Sequence, residues 1–183
     1  MKEKQNAALG TAPLGRLMLK FALPCTVSLL VGALYNIVDQ IFIGQGVGYL
    51  GNAATNVAFP LTTICLAITL LISIGSASRF SLSLGEGDAD RAAQAVGNAL
   101  AMMVLFGILY TLCIEIFLVP LLNAFGATQD VLPYAIEYTR ITAVGMPLLI
   151  ITNGMSNLAR ADGSPNYSMM CMLIGAIINT ILD

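Results

Sequence analysis

Apolar residues run through this chain in stretches too long to be strands or core helices of a small soluble domain. Five are visible, at residues 17–44, 53–78, 92–122, 134–158 and 167–183. The first four each exceed the ~20 residues a helix needs to cross a bilayer. Lipid offers no partner to a free backbone N–H or C=O, so runs of this length must be helical. The expected fold is all-α, a polytopic bundle of about five transmembrane helices. Composition points the same way: 57% of residues are hydrophobic and 10% charged, where a soluble domain carries about 25% charged residues.

The breaks between runs are short and rich in turn residues: 44–48, 85–91, 123–130 and 160–165. Lys2, Lys4, Arg16 and Lys20 precede or open the first run. Arg79 and Arg91 flank the second break, and Arg160 marks the fourth, whereas the first and third carry no Lys or Arg. Basic residues stay on the cytoplasmic side. Residues 1–16 therefore read as a cytoplasmic amino-terminal tail, residues 17–183 as a transmembrane lobe, and odd-numbered helices run outward. Arg140 is the exception, near the outer start of the fourth run. Glu137 shares its face and Glu115 lies at similar depth, so it reads as a snorkelling cation with an acidic partner. The last run stops at Asp183 with no basic anchor, which reads as the end of a fragment of a longer protein.

Other chemistry is thin. A net charge of −2 without a basic patch gives nucleic acid nothing to bind. There is no histidine, and Cys25, Cys65, Cys113 and Cys171 each lie in an apolar run without redox or zinc spacing. They read as small buried apolar residues.

Two acids stand out. Asp39 lies inside the first run and Asp183 closes the fifth. A carboxylate in hydrocarbon costs about 2.5–3.5 kcal/mol even on insertion scales, so an intramembrane acid suggests function. Asp39 lies roughly 28 Å outward of Lys20, and Asp183 roughly 26 Å outward of Asn166, at 1.5 Å per residue. The two are at matched depth in the outer half. Ser28, Gly32, Asn36 and Asp39 form one stripe at helical spacing, with Gln40 beside it; Gly175, Asn179 and Asp183 form another. Small residues let helices approach, and amides can bond across the gap. Two carboxylates in one apolar pocket resist double ionisation, so the pair would hold a proton or a monovalent cation. That is the chemistry of a coupling site in a secondary transporter.

Several segments resemble a known family. Residues 35–44, Tyr-Asn-Ile-Val-Asp-Gln-Ile-Phe-Ile-Gly, are similar to the first helix of the multidrug and toxic compound extrusion (MATE) transporters. Residues 52–61, Asn-Ala-Ala-Thr-Asn-Val-Ala-Phe-Pro-Leu, resemble the start of their second helix. Residues 83–92, Ser-Leu-Gly-Glu-Gly-Asp-Ala-Asp-Arg-Ala, resemble their cytoplasmic loop. Arg-Ala-Asp-Gly at 160–163, followed by Asn-Thr-Ile-Leu-Asp at 179–183, resembles their fourth-to-fifth helix region.

The resemblance implies a transporter rather than an enzyme, with twelve helices in two pseudo-symmetric lobes, this chain being most of the amino-terminal one. It implies export of organic cations and drugs across the bacterial cytoplasmic membrane, driven by proton or sodium entry. No cofactor is implied beyond that ion. In the branch related to the DNA-damage-inducible protein F, an acid in helix one and Asn-xxx-Asp in helix five form the cation site. These fall on Asp39, Asn179 and Asp183, which would be the sodium ligands if sodium is the ion. Ser28, Gly32, Asn36 and Gln40 would line the cavity. The partners implied are the drug, membrane lipid and the remaining carboxy-terminal lobe.

Three alternatives stay open. A flippase for lipid-linked saccharides would need more cavity-facing cations. An intramembrane aspartyl protease would show Gly-x-Gly-Asp, and a passive channel would need a filter or a ring of charge.

Overall fold

The computed structural model describes residues 13–182. They form five helices: α1 (Leu14–Gly46), α2 (Tyr49–Gly85), α3 (Ala89–Ala124), α4 (Leu132–Ala161) and α5 (Pro165–Leu182). The first four helices run past the apolar stretches that announce them at both ends, and α5 starts two residues before its stretch. α2 extends through Ser76, Ser78, Arg79, Ser81 and Ser83, because intrahelical bonds satisfy the backbone of polar residues as well as apolar ones. The connections shrink accordingly. Each contains one glycine at positive φ: Gly48, Gly87, Gly126 and Gly163. A residue with a Cβ is strained there, which makes glycine the cheapest way to reverse the chain in so few residues.

The ends are finished locally. Asp88 caps α3 by accepting from the Arg91 backbone N–H at 2.9 Å, and pairs with the Arg91 guanidinium at 3.2 Å. Prolines shape the interiors. Phe117 leaves helical geometry (φ −106°, ψ 20°) three residues before Pro120. The missing N–H and the ring's clash with the carbonyl of residue 116 account for that kink.

The residues fall into two compact units, each described by itself. One takes α1 as far as Asp39 together with the chain from Ala159 onward; the other is Gln40–Leu158. In the second unit, α2, α3 and α4 surround a core that includes Leu61, Cys65, Met103, Ile114, Leu122 and Ile150. Small residues bring α3 and α4 together. A Cβ on Gly107 would stand 2.9 Å from Pro147 Cα, and Gly154 is packed against the Met103 side chain. Polar groups cross between helices too: Tyr110 Oη donates to the Leu61 carbonyl at 2.6 Å, and Asn157 Nδ2 to Ser73 Oγ at 2.8 Å.

Outside the core the surface inverts the soluble pattern. Leu71, Ile116 and Ile141 are 79%, 71% and 70% exposed. Large contiguous apolar surface of this kind would aggregate in water and is what a lipid-facing helix requires. Four helices, α1 to α4, are long and apolar enough to cross a membrane; α5 is a shorter apolar helix over its described residues. The chain is a multi-pass membrane protein.

Candidate functional site

α1 carries the stripe that ends in Asp39. Its midpoint is residue 30, so Asp39 lies about 14 Å from the helix centre. The hydrocarbon half-thickness is about 15 Å, which leaves the carboxyl just inside the boundary. Asp39 is half-buried, and its Oδ1 is shut off from solvent.

The other stripe residues divide into two groups. Ser28 is buried and donates its hydroxyl to the Pro24 carbonyl at 2.8 Å. Such back-bonding bends a helix, and here it falls one turn after the proline. Asn36 is exposed and donates Nδ2 to the Gly32 carbonyl at 2.7 Å. Both donors are thus turned onto their own helix, which leaves the Asn36 carbonyl oxygen outward as an acceptor. Gln40, also exposed, is tied differently. Its Oε1 lies 3.1 Å from Thr55 Oγ1, whose hydroxyl is also 2.9 Å from the Asn52 carbonyl.

Within the first unit α5 lies alongside α1. A Cβ on Gly32 would stand 3.7 Å from Met172 Cε. A shallow apolar cleft follows, lined by Leu34, Tyr35 and Val38 on α1 and by Leu173, Ile177 and Ile181 on α5. Numbers rise in the same direction on both sides, so the helices are parallel. Gly32 opposite Met172 sets an offset of 140 residues, and at equal rise the same offset carries Asp39 to the level of Asn179. The backbone of Asn179 is helical, and its side chain is outside what is described; Asp183 lies outside the described residues altogether, as do Lys2 and Lys4.

Elsewhere the structure pairs Arg140 with Glu115, Nε to Oε2 at 3.6 Å. Spacing along α4 offered Glu137 first, with Glu115 joining; the acid on the neighbouring helix is the one that pairs. Arg160 ends α4 and donates Nε to the buried Ser168 of α5 at 3.1 Å, bracing the turn 162–164.

Two features escaped the sequence reading. Asn52 buries its Oδ1 without a hydrogen bond among the described residues, with Nδ2 against Gly44. The Asn157–Ser73 bond joins residues 84 positions apart. An asparagine recurring in an apolar helix was the available signal for both; its partner was not readable.

Lipid-facing apolar helices, one of them carrying a recessed acid, define a multi-pass membrane protein. Comparison supplies the family. The MatE family model matches residues 24–183, and the chain belongs to that family. It is 29% identical to the FAD transporter of Shewanella oneidensis over 98% of this chain and 40% of that protein. It is 25% identical to the multidrug export protein MepA of Staphylococcus haemolyticus over 100% of this chain and 40% of that protein. Among solved structures, a MATE in the bent conformation matches with a TM-score of 0.84 at 24% identity, over 92% of this chain and 38% of that chain. A MATE in complex with MaD3S matches at 0.83 and 24%, over 91% and 37%. At that identity these two establish the fold. The chain spans about 40% of the length of the curated relatives it matches.

Proposed function

We propose that this chain is the amino-terminal lobe of a secondary active exporter in the bacterial cytoplasmic membrane. Organic cations or drugs leave against an inward flow of protons or sodium, and Asp39, Asn179 and Asp183 form the coupling site. The observation that carries this reading is Asp39 itself. It is an acid inside an apolar helix, its Oδ1 is out of solvent, and it stands at the level of Asn179 on a parallel neighbour. Family membership and the export proteins among the relatives support the direction of transport.

The amino terminus is cytoplasmic in this reading. Arg91 and Arg160 flank the α2–α3 and α4–α5 turns, and the α1–α2 and α3–α4 turns carry no Lys or Arg. Cation entry favours one arrangement of the lobe and drug binding the other, so the two compete in alternating access. Each charge entering adds about 2.3 kcal/mol per 100 mV of membrane potential to the drive.

A second reading keeps the fold and the acids but changes the cargo, because the 29% identical relative is named for FAD, an anionic dinucleotide. A flippase of lipid-linked saccharides would share that demand for cavity cations. Proteoliposomes of the full-length protein decide. Ethidium export that appears only under an imposed proton or sodium gradient supports the proposal. Gradient-insensitive flux, or movement of FAD or a lipid-linked saccharide without movement of ethidium, refutes it.

A further inference from the structure

A second recess lies in the unit formed by residues 40–158. It is a groove of about 580 Å³ between α2 and α3. That volume is within the ~300–1,000 Å³ range of small-molecule sites. Its two ends differ. Ile68, Met102 and Phe106 line one end; Ser76, Arg79 and Asn98 line the other. Among the described residues the Arg79 guanidinium has no ion-pair partner, whereas Arg91 and Arg140 each have one.

The dimensions fit one leaflet. The midpoint of α2 is residue 67 and that of α3 lies at Phe106. Ile68 and Phe106 therefore sit at the bilayer centre. Arg79 is twelve residues from the α2 midpoint, about 18 Å along the axis, which is headgroup level for a core about 30 Å thick. The groove thus runs from mid-membrane to one interface, apolar at depth, with a cation, an amide and a hydroxyl at its mouth.

We propose that this groove holds an anionic phospholipid of the leaflet on the side of the α2–α3 turn. An acyl chain lies along Ile68, Met102 and Phe106, and the headgroup phosphate accepts from Arg79, Asn98 and Ser76. A zwitterionic lipid also has a phosphate, but its ammonium would stand beside the guanidinium, so the charge at the mouth selects for net negative headgroups. Basic recesses between transmembrane helices on the cytoplasmic side are where such headgroups bind. The site is independent of the cargo and of the coupling ion.

The test is native mass spectrometry of the full-length protein in detergent, titrated with phosphatidylglycerol or phosphatidylcholine of identical acyl chains. The wild type should retain phosphatidylglycerol about fivefold better, the preference one interfacial arginine confers. Arg79→Gln should lose that preference and Arg79→Lys should keep most of it. Gly75→Phe should reduce retention of both lipids, since Gly75 lines the groove and nothing stands within 4 Å of a Cβ there. Glycerol phosphate at millimolar concentration should not displace the lipid; displacement would mean that a free phosphate, and not a lipid, is the ligand. Equal retention of the two lipids by the wild type overturns the proposal, as does undiminished phosphatidylglycerol in Arg79→Gln. If Arg79→Gln does not elute as folded protein, the comparison of wild type with Gly75→Phe still decides: unchanged lipid retention in Gly75→Phe refutes the site.

Discussion

Thr111 of α3 donates its hydroxyl to the carbonyl oxygen of Ala143 in α4, at 2.9 Å. Ala143 is four residues before Pro147, so its carbonyl is the one that Pro147 deprives of a helical N–H donor. A neighbouring helix thus supplies the bond the proline removes, as membrane helices with internal prolines require. Gly107, one turn before Thr111, is what lets α3 approach closely enough.

The consequence is a defined coupling. Thr111→Val should destabilise the protein by about 1–3 kcal/mol, because it leaves a carbonyl unsatisfied in an apolar setting. Pro147→Ala restores the N–H within α4, so Thr111→Val should cost much less in that background. A double-mutant cycle on thermal stability of the detergent-solubilised full-length protein measures this. Strict additivity would mean that Thr111 does not serve the proline-freed carbonyl.

Gly107→Ala places a Cβ 2.9 Å from the Pro147 backbone, where no flexible side-chain end can yield. A loss of about 1–3 kcal/mol is expected from the forced separation of α3 and α4. Gly97 lies on the same helix with nothing within 4 Å of a Cβ. Gly97→Ala should be neutral or gain up to ~1 kcal/mol in helix propensity. Equal effects at the two positions would contradict the packing described.

Asn157 and Ser73 share a 2.8 Å bond between α4 and α2. Interhelical bonds of this kind average about 0.6 kcal/mol in membrane proteins and reach ~1.7 kcal/mol. Asn157→Ala and Ser73→Ala should each destabilise by an amount in that range, and the double variant should cost little more than one alone. Full additivity would show that the pair is not coupled.

Orientation is open to direct labelling. In a cysteine-free full-length protein, single cysteines at Glu86 or Asp162 should resist an impermeant thiol reagent applied to sealed cells. One at Val47 should react, because the basic residues cluster beside the 86–88 and 162–164 turns. The reverse pattern would invert the topology.

The helices were legible from hydropathy because lipid makes apolar length almost sufficient evidence of a span. Their ends were less so: residues 79–84, between the second apolar run and the 85–91 break, continue α2. Pairings between helices were mostly invisible. Depth counting matched Asp39 with Asp183, whereas the offset of Gly32 against Met172 puts Asn179 at its level, and neither count says where a side chain sends its hydrogen bond. Asn36 looked like a cavity ligand and spends its N–H on Gly32; Thr111, with no motif around it, proves to complete α4. The groove at Arg79 needed two antiparallel helices in register before its residues met.

The proposed mechanism turns on Asp39 coupling ion entry to export. Asp39→Asn is nearly isosteric, removes the titratable charge and keeps a hydrogen-bonding amide. The direct measurement is gradient-driven export of an organic cation by full-length wild type and Asp39→Asn in matched proteoliposomes, under imposed proton and sodium gradients in turn. Asp183→Asn should weaken coupling similarly, and Asn179→Ala less, since it removes only a neutral ligand. Asp39→Asn should insert and fold normally but lose gradient-driven export. Wild-type rates in that variant under either gradient would contradict that mechanism.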